Sequence, residues 1–177
     1  MTSPELLSAE DGAVHVPVHL TRFVGRGREL DDLARLVLSA RLLTLTGAGG
    51  SGKTRLAEEL AFRHGAAFDR VAWVDLAPLA DPNLLTQLVA TTLRVPERSG
   101  TTPLQSLVGT LCDERALIVL DNCEHLVDAS AELVDALLRS CPKITILATS
   151  REALGVASET AWLVPPLVRW WVRRRSF

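Results

Sequence analysis

Cysteine is scarce in this sequence, its net charge is small, and it holds no long apolar run. Each of these scarcities removes a class of protein. The three cysteines, Cys112, Cys123 and Cys141, are odd in number and far apart, and no C-x-x-C pair occurs. A disulfide framework or a cysteine-rich zinc site is therefore not expected, and the chain fits a reducing cytoplasm. The formal charge is −2, so the overall balance does not point to nucleic acid or an anionic membrane. No apolar stretch approaches the roughly 20 residues of a membrane-spanning helix. The opening segment, MTSPELLSAEDGAVHVP, lacks the basic start and apolar core of a secretory signal, so we expect a cytoplasmic protein. Neither an internal repeat nor a helix-turn-helix pattern is visible.

What is present suits one α/β domain: 177 residues, 47% hydrophobic and 23% charged. Residues 1–20 mix Pro, Gly, Ser and acids without periodicity and read as a flexible lead-in. Residues 28–40 place Leu30, Leu33, Leu36 and Val37 on one face of an amphipathic helix. LLTLT (42–46) is a strand, followed by a glycine-rich loop and a helix over 53–64 that stops at Gly65. The alternation continues with a strand at 70–76, a helix at 82–93 with Pro82 in its first turn, and a helix near 103–114. ALIVLD (116–121) is an unbroken apolar run ending in Asp, as a central parallel strand covered on both faces requires. A helix at 129–140, a strand at 144–149 and a last strand at 160–164 complete the series. Strands alternating with helices predict a parallel sheet of about five strands flanked by helices.

The loop reads GAGGSGKT and matches G-x-x-x-x-G-K-[ST] in full through Gly47, Gly52, Lys53 and Thr54. Glycines also stand at 49 and 50. Phosphate oxygens must approach backbone N–H groups closely, and a Cβ on these positions would obstruct them. The helix that starts near Lys53 aims its free N–H groups and positive dipole end at the same place. The Lys53 ammonium reaches the β and γ phosphates of a nucleotide, and the Thr54 hydroxyl is a ligand for Mg²⁺. Gly49, Gly50, Ser51 and Arg55, inside and just after the loop, join the candidate nucleotide-binding residues.

Asp121, at the end of the apolar strand, is the candidate to lie beside this loop and hold Mg²⁺ through water. The next residue is Asn122, which cannot serve as a general base. Glu124 is the nearest other carboxylate. Either it polarises water or it is an exposed acid at a helix start, and the local sequence favours the second. His125 reads as a loop or packing residue and Cys123 as a small buried side chain. Arg151 follows the polar strand end Thr149-Ser150. It either meets the γ-phosphate or pairs with Glu152 or solvent. Upstream, Val24 and Arg26 in FVGR stand where an adenine slot and a ribose or phosphate contact would be.

In order, FVGR, LLTLTGAGGSGKTRLA, VAWVDLAPL, LIVLDNCEHL and ILATSREALGV resemble the NB-ARC-like ATPase domain of bacterial STAND regulators, found in LuxR-type and SARP-type transcriptional activators. The resemblance covers roughly residues 21–166. It implies a P-loop NTPase sheet of the ASCE type in which the Asp121 strand and the strand before Arg151 are neighbours. It also implies that Arg151 is a sensor of the γ-phosphate and that Val24 and Arg26 belong to the nucleotide site. Members of the family exchange ADP for ATP as a switch, closed with ADP, open and oligomeric with ATP. Asn122 matches this subgroup and departs from the two-acid pattern of fast ATPases.

Relatives of this kind continue into helical, winged-helix and repeat domains that supply oligomer contacts. Residues 167–177 match no element of the family, and the sequence reads as C-terminally truncated. RWWVRRRSF is expected to follow a frameshift or early stop; the rival is a basic-aromatic tail that meets nucleic acid or an anionic surface. The expectation is an ATP/ADP-binding switch domain with slow or absent hydrolysis. The alternatives are a stand-alone P-loop ATPase and a protein-binding module with a relic loop.

Overall fold

A computed structural model describes residues 25–166. Val24, the lead-in 1–20 and the tail 167–177 lie outside the described residues. Five strands, β1 (Leu42–Thr46), β2 (Arg70–Asp75), β3 (Ala116–Asp121), β4 (Thr145–Thr149) and β5 (Glu159–Leu163), form one sheet in the order β2-β3-β4-β1-β5. Every neighbouring pair is parallel. Among the described residues five α-helices accompany them, α1 (Gly27–Ser39) before β1 and α2 (Lys53–His64), α3 (Leu85–Thr92), α4 (Pro103–Leu111) and α5 (Val127–Ser140) between later strands. None of the helices among the described residues is long and apolar enough to cross a membrane.

The unbroken apolar character of β3 follows from burial on both faces. Leu117 and Val119 pack with Leu43 and Leu45 of β1 and with Leu33, Leu56 and Leu60 of α1 and α2. Ile118 and Leu120 point the other way, into α3, α4 and α5 through Val89, Leu107 and Val134. Each such side chain contributes about 1.5–3 kcal/mol on burial, so in β3 the one polar residue stands at the strand's end. The two-residue alternation then puts Asp121 on the α2 face with Leu117 and Val119, and Thr149 on that face with Leu147. β4 lies between β1 and β3, which makes the Asp121 strand and the strand before Arg151 neighbours.

The β1, α2 and β3 limits agree with the sequence reading to the residue, and other ends differ for identifiable reasons. The helix expected at 82–93 opens with a 3-10 turn, Pro82–Leu84, capped by the Asp81 carboxylate on Asn83 N at 3.0 Å; α3 itself runs from Leu85 to Thr92. α4 begins with a capping box between Thr102 and Gln105, with Pro103 at its first position. It ends at Leu111, three residues earlier than expected. Beyond it, Glu114 is drawn off by Arg70 at 2.7 Å, and the Arg115 N–H donates to Asp69 at 3.0 Å. These tertiary ties lead the chain directly into β3.

Candidate functional site

The carboxyl ends of β1, β3 and β4 meet the first turn of α2, and the glycine-rich loop bridges β1 to that turn. Gly47 has φ +140, and a Cβ there would stand 2.8 Å from the Val164 carbonyl oxygen, so only glycine lets the loop leave β1 beneath the chain that follows β5. Gly52, at φ +89, turns the chain in the left-handed region into Lys53. α2 therefore begins with no side-chain cap, and its first backbone N–H groups are open to an anion.

Lys53 is 8% exposed, and its ammonium donates to the carbonyl oxygens of Gly47 at 2.8 Å and Ala48 at 3.2 Å. The cation thus folds back onto its own loop, held where phosphate oxygens would compete for it. Ser51 is buried, and its Oγ has no hydrogen-bond partner among the described residues. The Thr54 hydroxyl donates to Asp121 Oδ1 at 2.9 Å. With its proton committed there, the lone pairs of the Thr54 oxygen remain for another partner.

Asp121 is 3% exposed. Oδ1 also receives the Thr149 hydroxyl at 2.5 Å, and Oδ2 receives the Asn122 side-chain amide at 3.1 Å. A carboxylate offers about four lone-pair directions, so three donors leave room for one more. Burial pushes the Asp121 carboxyl above its ordinary value; the Thr149 and Thr54 hydroxyls oppose the rise, and the charges of Asp75 and Glu58 add to it. Asn122 sits in the left-handed region at φ 65, and the same amide nitrogen reaches Asp75 Oδ1 at 3.1 Å. It bridges the carboxylates that end β2 and β3 and carries no base of its own.

Glu124 lies in the short 3-10 turn Cys123–His125. Its Oε1 pairs with Arg151 Nε at 3.3 Å, and its Oε2 is buried with no hydrogen-bond partner among the described residues. Glu124 is therefore not the freely exposed acid favoured by the local sequence: its side chain is 24% exposed and helps line a cavity of about 390 Å³. Gly49, Gly50, Gly52, Lys53, Thr54, Arg55, Glu58 and Asn122 complete that lining. Arg151 is 69% exposed and sits outside the lining; of the carboxylates near it, the one it pairs with is Glu124 and not the Glu152 that one of the two sequence readings offered. Arg55 pairs with Glu58 at 3.2 Å. Arg26 binds the Pro165 carbonyl oxygen and brings Nη1 within 3.8 Å of where a Gly52 Cβ would be, so it does reach the glycine loop.

His125 contacts the Leu79 carbonyl oxygen at 2.9 Å and is a loop-packing residue. Cys123 is fully buried, and burial pushes its thiol up to about 12, which makes it inert as a nucleophile. Three residues near the site are not singled out by the sequence: Asp75, Glu58 and, as a hydrogen-bonding partner, Thr149. Glu58 stands one helical turn after Thr54 and so shares its face, a signal the spacing carries. Asp75 and Thr149 end strands, but nothing local says that these ends adjoin Asp121.

A family model described as an AAA ATPase domain matches residues 22–147. An uncharacterised protein of Mycobacterium tuberculosis is 47% identical over 150 residues, which cover 84% of this chain and 38% of that protein. A provisionally named HTH-type transcriptional regulator of the same species is 45% identical over 132 residues, 75% of this chain and 15% of the regulator. Among solved structures, a STAND protein with a tetratricopeptide repeat sensor from Pyrococcus horikoshii superposes with a TM-score of 0.53 over 89% of this chain and 25% of that one. At 21% identity that likeness shows the fold alone.

Proposed function

The chain belongs to the AAA ATPase domain family, and from that premise we propose that it is an adenine-nucleotide switch domain, with slow or absent ATP hydrolysis, of a STAND-type transcriptional regulator of the NB-ARC-like, LuxR or SARP kind. The observation that carries this reading is the convergence of Thr54 and Asp121 at 2.9 Å beside an open glycine loop. A hydroxyl and a carboxylate are the hard oxygen donors that suit Mg²⁺, with phosphate and water supplying the rest of an octahedron. Thr54 would hold the ion directly and Asp121 through water; the ion, when bound, neutralises charge on the β and γ phosphates.

The chain's own residues do the remaining work. The N–H groups of the glycine loop and of the first turn of α2 donate to the phosphate oxygens. Lys53 exchanges its carbonyl partners for phosphate oxygens, a charge-assisted trade. Arg26, which lies near Gly52, is the proposed ribose or phosphate contact, and Val24 is proposed for the adenine side. Arg151, one side of the Glu124 pair, is the proposed reporter of the γ-phosphate. Asn122 bridges two carboxylates and, as an amide, activates no water, and this supports retention of nucleotide over its consumption. The regulator assignment draws on the HTH-type relative, of which this chain spans 15%.

One observation favours the stand-alone ATPase reading: Glu124 helps line the cavity, and its buried Oε2 has no hydrogen-bond partner among the described residues. Steady-state turnover separates the two, because a rate above ~1 s⁻¹ belongs to an enzyme and a lower one to a switch. Calorimetry with Mg-ATP on the wild type and Lys53→Ala tests the site itself. Binding weakened by about 2 kcal/mol or more, the scale of hydrogen bonds to a charged group, is expected; equal heats for both proteins would remove Lys53 from the site.

A further inference from the structure

We propose that Thr149 is a positioning residue for the metal side of the nucleotide site, fixing the Asp121 carboxylate and, through it, the proton of Thr54. The inference rests on the Mg²⁺-nucleotide site proposed above and names a residue that the P-loop motif does not contain.

The sheet supplies an internal contrast. Thr44 and Thr149 are both buried strand threonines, at 0% and 1% exposure. Thr44 lies within β1, and its Oγ1 has no hydrogen-bond partner among the described residues. Thr149 ends β4, and its hydroxyl is used twice: it accepts the Asn122 backbone N–H at 3.0 Å and donates to Asp121 Oδ1. The direction is not open to choice. A backbone N–H can only donate, so the single hydroxyl proton is left for the carboxylate.

Oδ1 is thereby clamped between two hydroxyls on different elements, Thr149 from β4 and Thr54 from α2. The terminal torsion of an aspartate is broad and, unheld, lets the carboxylate rotate. Held by Thr149, Oδ1 stays where the Thr54 proton finds it, and the Thr54 lone pairs stay turned toward the cavity. The same hydroxyl ties down Asn122, whose left-handed backbone and bridging amide close the other side of Asp121. Thr149 is not among the residues that line the cavity, so the action proposed for it is through Asp121.

The test measures ADP affinity of the full chain in excess Mg²⁺ and in EDTA, and the ratio of the two is the Mg²⁺ gain. Thr149→Val, of the same shape without the hydroxyl, is expected to cut that gain about tenfold and to leave the EDTA affinity within about twofold. Thr149→Ser should restore the gain, and Thr44→Val should match the wild type in both buffers. Thr149→Ala serves the same test if the valine variant does not fold, because it leaves room for water at the Asn122 N–H. A folded Thr149→Val protein that keeps the full gain would overturn the proposal. So would an equal loss in both buffers, which marks a purely structural residue. Failure of the nucleotide site itself looks different: the wild type then binds ADP no better than Lys53→Ala in either buffer, and both readings fall.

Discussion

Asp121 and Glu124 are three residues apart, yet the fold treats their carboxylates in opposite ways. Asp121 ends a fully buried strand and is met by three side-chain donors, from α2, from β4 and from the adjoining Asn122. Glu124 lies beyond the strand in a short 3-10 turn, with one oxygen on an exposed guanidinium and the other on nothing described. The first is held in one geometry before any ligand arrives. The second depends on an arginine whose side chain is largely exposed. Such a contrast suits the proposed role, in which a metal-bound phosphate is held more firmly than it is attacked. That difference is the physical content of the proposal that the domain retains nucleotide.

The largest effect should come from breaking the ordered side. Asp121→Asn keeps the shape and removes the charge. We expect it to abolish the Mg²⁺ gain in ADP affinity, on the order of a hundredfold, or about 2.8 kcal/mol, with the EDTA affinity unchanged. An Asp121→Asn variant that retains the gain would place the metal elsewhere.

The loose side gives a smaller and different signal. Glu124→Gln should leave Mg-ATP affinity within about twofold and lower whatever turnover exists by roughly tenfold, below the 10²–10⁴ of a well-placed base. Unchanged turnover in a single-turnover phosphate-release assay would exclude Glu124 from water activation and leave the pair with Arg151 as its only role.

A third prediction concerns stability and pH. The Asp121 pKa is raised in the fold, chiefly by burial. The folded state therefore prefers the protonated acid, and this preference contributes stability below the unfolded value of about 3.9 that is lost as pH rises through the folded pKa. Without nucleotide at pH 7, Asp121→Asn should melt higher than the wild type. The advantage over the wild type should shrink toward pH 4 in parallel thermal scans, and an advantage that is flat with pH would show that the ionised carboxylate carries no such cost. The smallest effect belongs to Thr44→Val. Removing a buried hydroxyl with no described partner should raise the stability by about 0.5–1 kcal/mol, measured by urea unfolding; a loss would mean that the hydroxyl has a partner after all.

Much of this is legible in advance, and the exceptions share one cause. β1 and β3 are short apolar runs closed by Gly47 and by Asp121, and α2 is bounded by Gly52 and Gly65, so local chemistry marks their ends. The end of α4 escapes a local reading because Glu114 and Arg115 answer to Arg70 and Asp69, more than 40 positions earlier. Within the site, Gly47, Lys53, Thr54 and Asp121 are legible because each belongs to a local pattern with one physical purpose. The use of Glu124 is not, because its partner, Arg151, lies on the far side of α5 and β4.

The sequence by itself determined that a phosphate-binding loop stands between a strand and a helix, since glycine spacing, helix polarity and one lysine act over eight neighbouring residues. It also determined that an acid, Asp121, ends the central apolar strand. Only the tertiary structure decided what surrounds that acid. Placing β4 between β1 and β3 brings Thr149 onto Asp121, and pairing β2 with β3 brings Asp75 to Asn122. A hydrogen bond acts over about 3 Å, whereas these partners are tens of residues apart along the chain, and only the order of the strands closes that distance.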